Sequence, residues 1–191
     1  MVLVCEKHSW RAHIKLVCLL VCGLLSACSH SNAPVVPTEV ATQDLSQTIE
    51  SLSSDVISKE ANDTASALLG TATRLSKEYD MASPALYHNI LVNMGFRKRG
   101  LCCHWAEDLH TELRKLNVNS LKFDWLVSKL GSELREHNVV VIYPANTSWQ
   151  QGIVFDPWRK AGTPFWTTVQ GDKYSWQLHP LNGRWDVLRC K

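Results

Sequence analysis

The sequence predicts an α+β fold, with N-terminal helices packed on an antiparallel sheet, from three observations. From about residue 49 to residue 116, apolar residues recur at three- and four-residue steps. From residue 121 onward they alternate along short segments or gather in β-branched runs. Turn-forming Gly, Pro, Asn and Asp separate those segments closely, so helices come first and consecutive strands follow. The chain has 191 residues, 45% hydrophobic and 20% charged, enough for one core-bearing domain and an appendage.

The elements follow in order. Residues 29–48, SHSNAPVVPTEVATQDLSQT, are small, polar and proline-containing, and read with Cys28 as a flexible tether over 28–48. Residues 49–191 then form the folded domain. Ile49, Leu52, Val56, Ala61, Ala65, Leu68, Leu69, Ala72, Leu75 and Tyr79 predict helix to about residue 80, with Gly70 as a weak point. Ser83-Pro84 opens a helix over 84–94, which Gly95 ends. Another helix spans roughly 102–116. LKFDWLV (121–127), NVVVIYP (138–144) and WQQGIVFD (149–156) read as strands, the last two joined by the turn ANTS. Two or three more short strands fit the tail.

The first 28 residues have their own logic. Lys7, Arg11 and Lys15 precede the apolar run LVCLLVCGLLSA (16–27). Twelve residues fall short of the roughly 20 that a helix needs to cross a bilayer, which favours a signal peptide over 1–27. The run ends in LSAC, which resembles the lipobox of bacterial lipoproteins, where cleavage precedes a cysteine that becomes lipidated. Cys28 is the expected lipidation site, and palmitate an expected acyl group. An ordinary secretory signal or an uncleaved anchor is the alternative; small Ser26 and Ala27 directly before Cys28 favour the lipobox. Ser29 follows where an aspartate would mark inner-membrane retention, so the expected location is the periplasmic face of the outer membrane. Beyond residue 27 remain Cys28, Cys102, Cys103 and Cys190, enough for one disulfide among the last three in an oxidising compartment. A net charge of +2 gives no reason to expect a nucleic-acid partner.

The stretch RKRGLCCHWAEDLHTEL (97–113) sets two cysteines where a helix begins. Unpaired N–H groups and the dipole at a helix N-terminus favour thiolate. Thiol catalysis also needs a histidine within reach and a group that fixes its tautomer. His137 enters one expected strand and Asp156 leaves the next, and an antiparallel hairpin brings such positions to one edge.

GLCCHWA (100–106), EHNVVV (136–141) and VFDPW (154–158) together resemble the transglutaminase-like branch of the papain-like cysteine peptidases, in the family's Cys, His, Asp order. The resemblance covers about residues 82–160. It implies a transglutaminase-like/papain-like core with Cys102 as nucleophile, His137 as general base and then acid, and Asp156 as the orienter of His137. It further implies thiol-dependent acyl chemistry without a cofactor; hydrolysis of a peptide or isopeptide bond is expected over cross-linking because the periplasm offers water freely, with a peptide, a protein or a peptidoglycan stem peptide as substrate. The chain departs from the family where Asn138 and Val139 follow the histidine in place of an aromatic residue. No side chain is evident that completes an oxyanion hole; a backbone N–H at the Cys102 turn is the one donor expected.

Helical steps separate the two cysteines. Cys102, Ala106, Leu109, Leu113 and Leu116 form an apolar stripe expected to face the sheet, whereas Cys103, Glu107, His110 and Arg114 form a polar face. Cys103 is then free or paired with Cys190. His104 and His110 are expected to face solvent. Zinc is disfavoured because adjacent helical side chains point about 100° apart. Trp158, Trp166, Trp176 and Trp185 suit core or cleft wall, and Arg97, Lys98 and Arg99 suit a solvated loop able to receive an acidic group. The competing functional class is a catalytically inactive fold that binds a peptide, glycan or partner protein as a periplasmic scaffold lipoprotein.

Overall fold

The structure is a computed structural model that describes residues 39–132 and 134–180. The signal peptide expected over 1–27, the expected lipidation site Cys28, and Trp185 and Cys190 lie outside these residues. Among the described residues four helices precede a five-stranded antiparallel sheet. The helices are α1 (Glu39–Glu50), α2 (Ser58–Glu78), α3 (Ala85–Asn93) and α4 (Cys102–Leu113). The strands are β1 (Leu121–Ser128), β2 (His137–Pro144), β3 (Ile153–Phe155), β4 (Trp166–Thr168) and β5 (Gln177–Leu178), in the order β4-β3-β2-β1-β5.

Two expectations need correction at the N-terminal side. The tether does not extend to residue 48, because Glu39–Glu50 is helical. Ala41, Leu45 and Ile49 lie four residues apart, and burial of that stripe against α2 outweighs the segment's polar composition. Nor is 49–80 one helix: the chain breaks between Glu50 and Ser58, where Ile57 is extended. Glu60 holds the new start in place. Its carboxylate accepts hydrogen bonds from the backbone N–H groups of Asn119 and Ser120 and from the Ser120 hydroxyl at 2.6 Å. Gly70, by contrast, does not interrupt α2, whose Ala61, Ala65, Leu68, Leu69, Ala72 and Leu75 all enter the core.

β1 and β2 pair along their full length, from Leu121↔Pro144 to Ser128↔His137, and Val140↔Phe155 sets β3 against β2. Both faces of the sheet are covered. On one, Leu121, Val140, Ile142, Ile153 and Phe155 pack with the helices around Trp105, which meets Tyr79 edge-to-face at 5.1 Å. On the other, Leu126, Val139, Val141, Tyr143 and Val154 form a second core with Val169, packed by Trp149 and Trp176. The continuous burial of β2 follows from this double cover. β3 is shorter than expected because Trp149–Gln151 winds into a 3-10 turn before Gly152, where a Cβ would lie 2.3 Å from the Ile142 carbonyl oxygen.

The approach to α4 is set by close packing. α3 ends in a Schellman motif: Phe96 N–H donates to Leu91 O at 2.8 Å and Gly95 N–H to Val92 O at 3.0 Å, with Gly95 at φ +80°. Buried His88 then fixes the segment before α4. Its Nδ1 accepts from Ala82 N–H at 3.1 Å, and its Nε2 lies 3.0 Å from Arg99 O. Gly100 sits against that ring at φ +119°, and a Cβ there would lie 2.1 Å from His88 Nε2. Gly100→Ala combines left-handed strain with overpacking and should lower stability by about 3 kcal/mol. Urea unfolding tests this: the midpoint should fall with an unchanged slope, and an unchanged midpoint would contradict the packing described.

Candidate active site

β2 begins and β3 ends at the same end of the sheet, and the first turn of α4 lies beside them. His137 opens β2, and Asp156 directly follows Phe155, the last residue of β3. The register places Asp156 opposite Val139, diagonal to His137 on the same face. His137 Nε2 lies 2.6 Å from Asp156 Oδ2, with each residue only 2% exposed. A carboxylate only accepts, so Nε2 carries the proton and donates.

That bond leaves Nδ1 for the remaining neighbour. Nδ1 is buried and has no well-aligned hydrogen bond, while the Cys102 thiol is near enough to interact with the ring. Cys102 is 8% exposed and not disulfide-bonded. Its Sγ lies 3.8 Å from Glu136 O and 3.9 Å from Asn138 Nδ2. Burial works to lower the His137 pKa. The hydrogen bonds with Asp156 and Cys102, and their negative charge, outweigh it and raise the value to about 9. The three expected site residues are therefore together.

The two cysteines separate as the helical stripe requires. Cys102, Ala106, Leu109 and Leu113 are buried, whereas Cys103 is half-buried and disulfide-bonded. Its expected partner, Cys190, lies outside the described residues. The two histidines of α4 correct the sequence reading, since both are buried and not solvent-facing. His104 Nδ1 accepts from Gly100 and Leu101 N–H, each at 3.2 Å, and so satisfies donors that leucine at the cap cannot serve. Burial and the charge of Arg99 lower its pKa to about 4, which keeps that nitrogen an acceptor. His110 Nε2 lies 3.3 Å from Phe123 O, and burial likewise lowers its pKa to about 4.

Asp156 is itself held by a residue the sequence did not single out. Arg159 donates through its backbone N–H to Asp156 Oδ1 at 3.1 Å and through Nε to Oδ2 at 2.9 Å. The rest of its guanidinium grips Asp172 with two bonds, of 3.0 and 2.8 Å. Burial pushes the Asp172 carboxyl up, but bonding to Arg159 outweighs it and leaves the pKa below its ordinary value. Phe165 and Tyr174 flank the guanidinium at 4.4 and 4.9 Å. Over His137 lie the rings of Trp158, Tyr174 and Trp176, with centroids 4.8, 4.7 and 5.6 Å away.

Cys102 opens onto a cleft of about 680 Å³. One wall is the Leu86, Asn89 and Asn93 edge of α3, tied to Trp158 by its indole N–H donating to Asn89 Oδ1 at 3.0 Å. Residues of the 131–136 connection and Asn138 form the other. Arg97, Lys98 and Arg99 line a separate cavity of about 360 Å³ and not this cleft. Arg97 pairs with Asp80, and Arg99 with Glu107 and Asp108, so both guanidiniums are engaged within the chain. Among the described residues no group of three His, Cys, Asp or Glu side chains is placed to hold a metal ion, and no helix is long and apolar enough to cross a membrane.

No protein-family model matches the chain, and no curated protein or solved structure matches it.

The raised His137 pKa has a definite sign in stability. Its contribution is complete below the unfolded value near 6.5 and disappears as pH rises through about 9. The His137 imidazole should titrate near 9 by NMR, and the thermal midpoint should fall across that interval. In Asp156→Asn, burial is less opposed, so the titration should move several-fold in proton affinity toward lower pH and the alkaline fall should shrink. A wild-type value at or below 6.5 would contradict the arrangement.

Proposed function

We propose that the chain is a thiol hydrolase with a transglutaminase-like core, acting on a peptide or isopeptide bond through Cys102, His137 and Asp156. One observation carries the reading: a single imidazole donates to a buried carboxylate through Nε2 while its other nitrogen is left for a cysteine at a helix N-terminus that opens onto a cleft. The Cys, His, Asp order and the helix, strand, strand placement support the family resemblance on which the finer fold rests. The lipobox-like LSAC supports an envelope lipoprotein anchored through Cys28 at the periplasmic face of the outer membrane.

In this mechanism the thiol proton already rests on His137 Nδ1, in keeping with an imidazole that stays protonated at neutral pH, and the sulfur lone pair forms a bond to the carbonyl carbon. The tetrahedral intermediate collapses as the C–N bond breaks, and the leaving amine takes the proton held at Nδ1. Water, deprotonated by the same nitrogen, then releases the acid from the thioester. Asp156 stays ionised and fixes the ring, with Arg159 fixing Asp156. The three rings covering His137 favour one other reading, a cleft that binds a peptide or partner protein without chemistry.

Alkylation separates the two. Iodoacetamide at neutral pH should modify Cys102 rapidly, and His137→Ala should slow the reaction about 100-fold. Cys102→Ala should abolish both rapid alkylation and hydrolysis, whereas Cys103→Ala should keep both, with the label mapped to Cys102 by peptide mass. Slow alkylation of the wild type, or its persistence in Cys102→Ala, would leave the binding reading.

A further inference from the structure

Asn138 stands where the chain departs from the family's pattern, and the thiol mechanism above leaves it without a part. It is 3% exposed, yet it borders the cleft beside Cys102. Its amide has one possible orientation. Trp125 Nε1 lies 2.8 Å from Asn138 Oδ1, and an indole N–H can only donate, so this atom must be the oxygen. Nδ2 therefore points the other way, with one hydrogen toward Glu136 Oε1 at 3.1 Å and the other toward Cys102 Sγ at 3.9 Å. Trp125 is fixed in turn by packing on Ala106, one turn along α4 from Cys102. A buried amide aimed at a sulfur, with its acceptor end already occupied, is a preorganised donor.

We propose that Asn138 is a catalytic residue of this site: its Nδ2 donates to the carbonyl oxygen of the substrate as Cys102 adds to the carbonyl carbon. This rests on the thiol mechanism proposed above and adds the side-chain donor that mechanism lacks. As the S–C bond forms, the π pair of the carbonyl moves onto oxygen and its charge develops there. A point about 3 Å from both Sγ and Nδ2 exists because those atoms are 3.9 Å apart, and the carbonyl group bound to sulfur reaches it. On collapse the pair returns to form the C=O bond, and the amine leaves with the proton from His137. Trp125 is the positioning residue that keeps the donor turned inward.

The test separates attack on a carbonyl from reactivity of the sulfur alone. Iodoacetamide alkylation generates no oxyanion; acylation by p-nitrophenyl acetate does. In the full-length protein, Asn138→Ala should cut the rate of p-nitrophenol release about 100-fold while alkylation of Cys102 changes less than about threefold. Asn138→Asp keeps the shape and an acceptor for Trp125 but removes the donor, and should lose acylation to at least the same extent with a cooperative melt. Acylation within threefold of wild type in either folded variant overturns the proposal. A parallel loss of alkylation in Asn138→Ala also overturns it, since the amide then acts on the sulfur and not on oxygen. A wild-type thiol that is alkylated rapidly but never acylated overturns it too, leaving the thiol reading intact. Slow alkylation of the wild type would remove that reading and this proposal together.

Discussion

The hydrogen bond of 2.6 Å between His137 Nε2 and Asp156 Oδ2 joins the first residue of one strand to the exit of the next, and the end of the sheet is organised around it. It requires the β2–β3 register, because a slip by one residue would send one of the two side chains to the opposite face. It also requires donors for the buried Asp156 oxygens besides His137. That condition is met by Arg159, which bonds both oxygens of Asp156 and is held by the fork it makes with Asp172. Removing one member would leave buried charge without compensation, an effect usually worth about 3–5 kcal/mol. The chain thus commits three polar side chains and three aromatic rings to the position of one imidazole.

The same arrangement accounts for the asymmetry of the ring. Trp158, Tyr174 and Trp176 exclude water from His137, and low polarity strengthens its bond to Asp156. Burial by itself would drive the proton off, and the partners on either side more than reverse that. α4 supplies the neighbour on the Nδ1 side, because the stripe that anchors the helix through Ala106, Leu109 and Leu113 also carries Cys102 inward. Packing and the candidate site therefore use the same helical face. Gly100 and His88 fix where that helix starts.

Much of this was legible in the sequence, and the failures have physical causes. Strand ends follow from β-branched runs, so His137 and Asp156 could be placed at one edge from EHNVVV and GIVFDPW alone. Helical periodicity chose Cys102 over Cys103 for the buried position. α1 was missed because Ala41, Leu45 and Ile49 make a stripe too sparse to outweigh polar neighbours until α2 lies against it. His104 and His110 were misplaced because their burial depends on backbone partners at Gly100, Leu101 and Phe123, which composition does not reveal. Arg159, Asp172 and the Trp125–Asn138 pair were invisible for the same reason. Each acts through a contact 13 residues away in sequence, across irregular segments or across the sheet.

The central claim is that a carbonyl group held in the cleft meets the Cys102 sulfur while His137 stays locked to Asp156. A crystal structure of the protein treated with a short peptide aldehyde tests it most directly, because the aldehyde carbon captures a competent nucleophile as a hemithioacetal. The structure should show one covalent bond, from Cys102 Sγ, with His137 Nδ1 turned toward the adduct and Nε2 still bonded to Asp156. An unmodified Cys102, or an imidazole turned away from it and released from Asp156, would contradict the account.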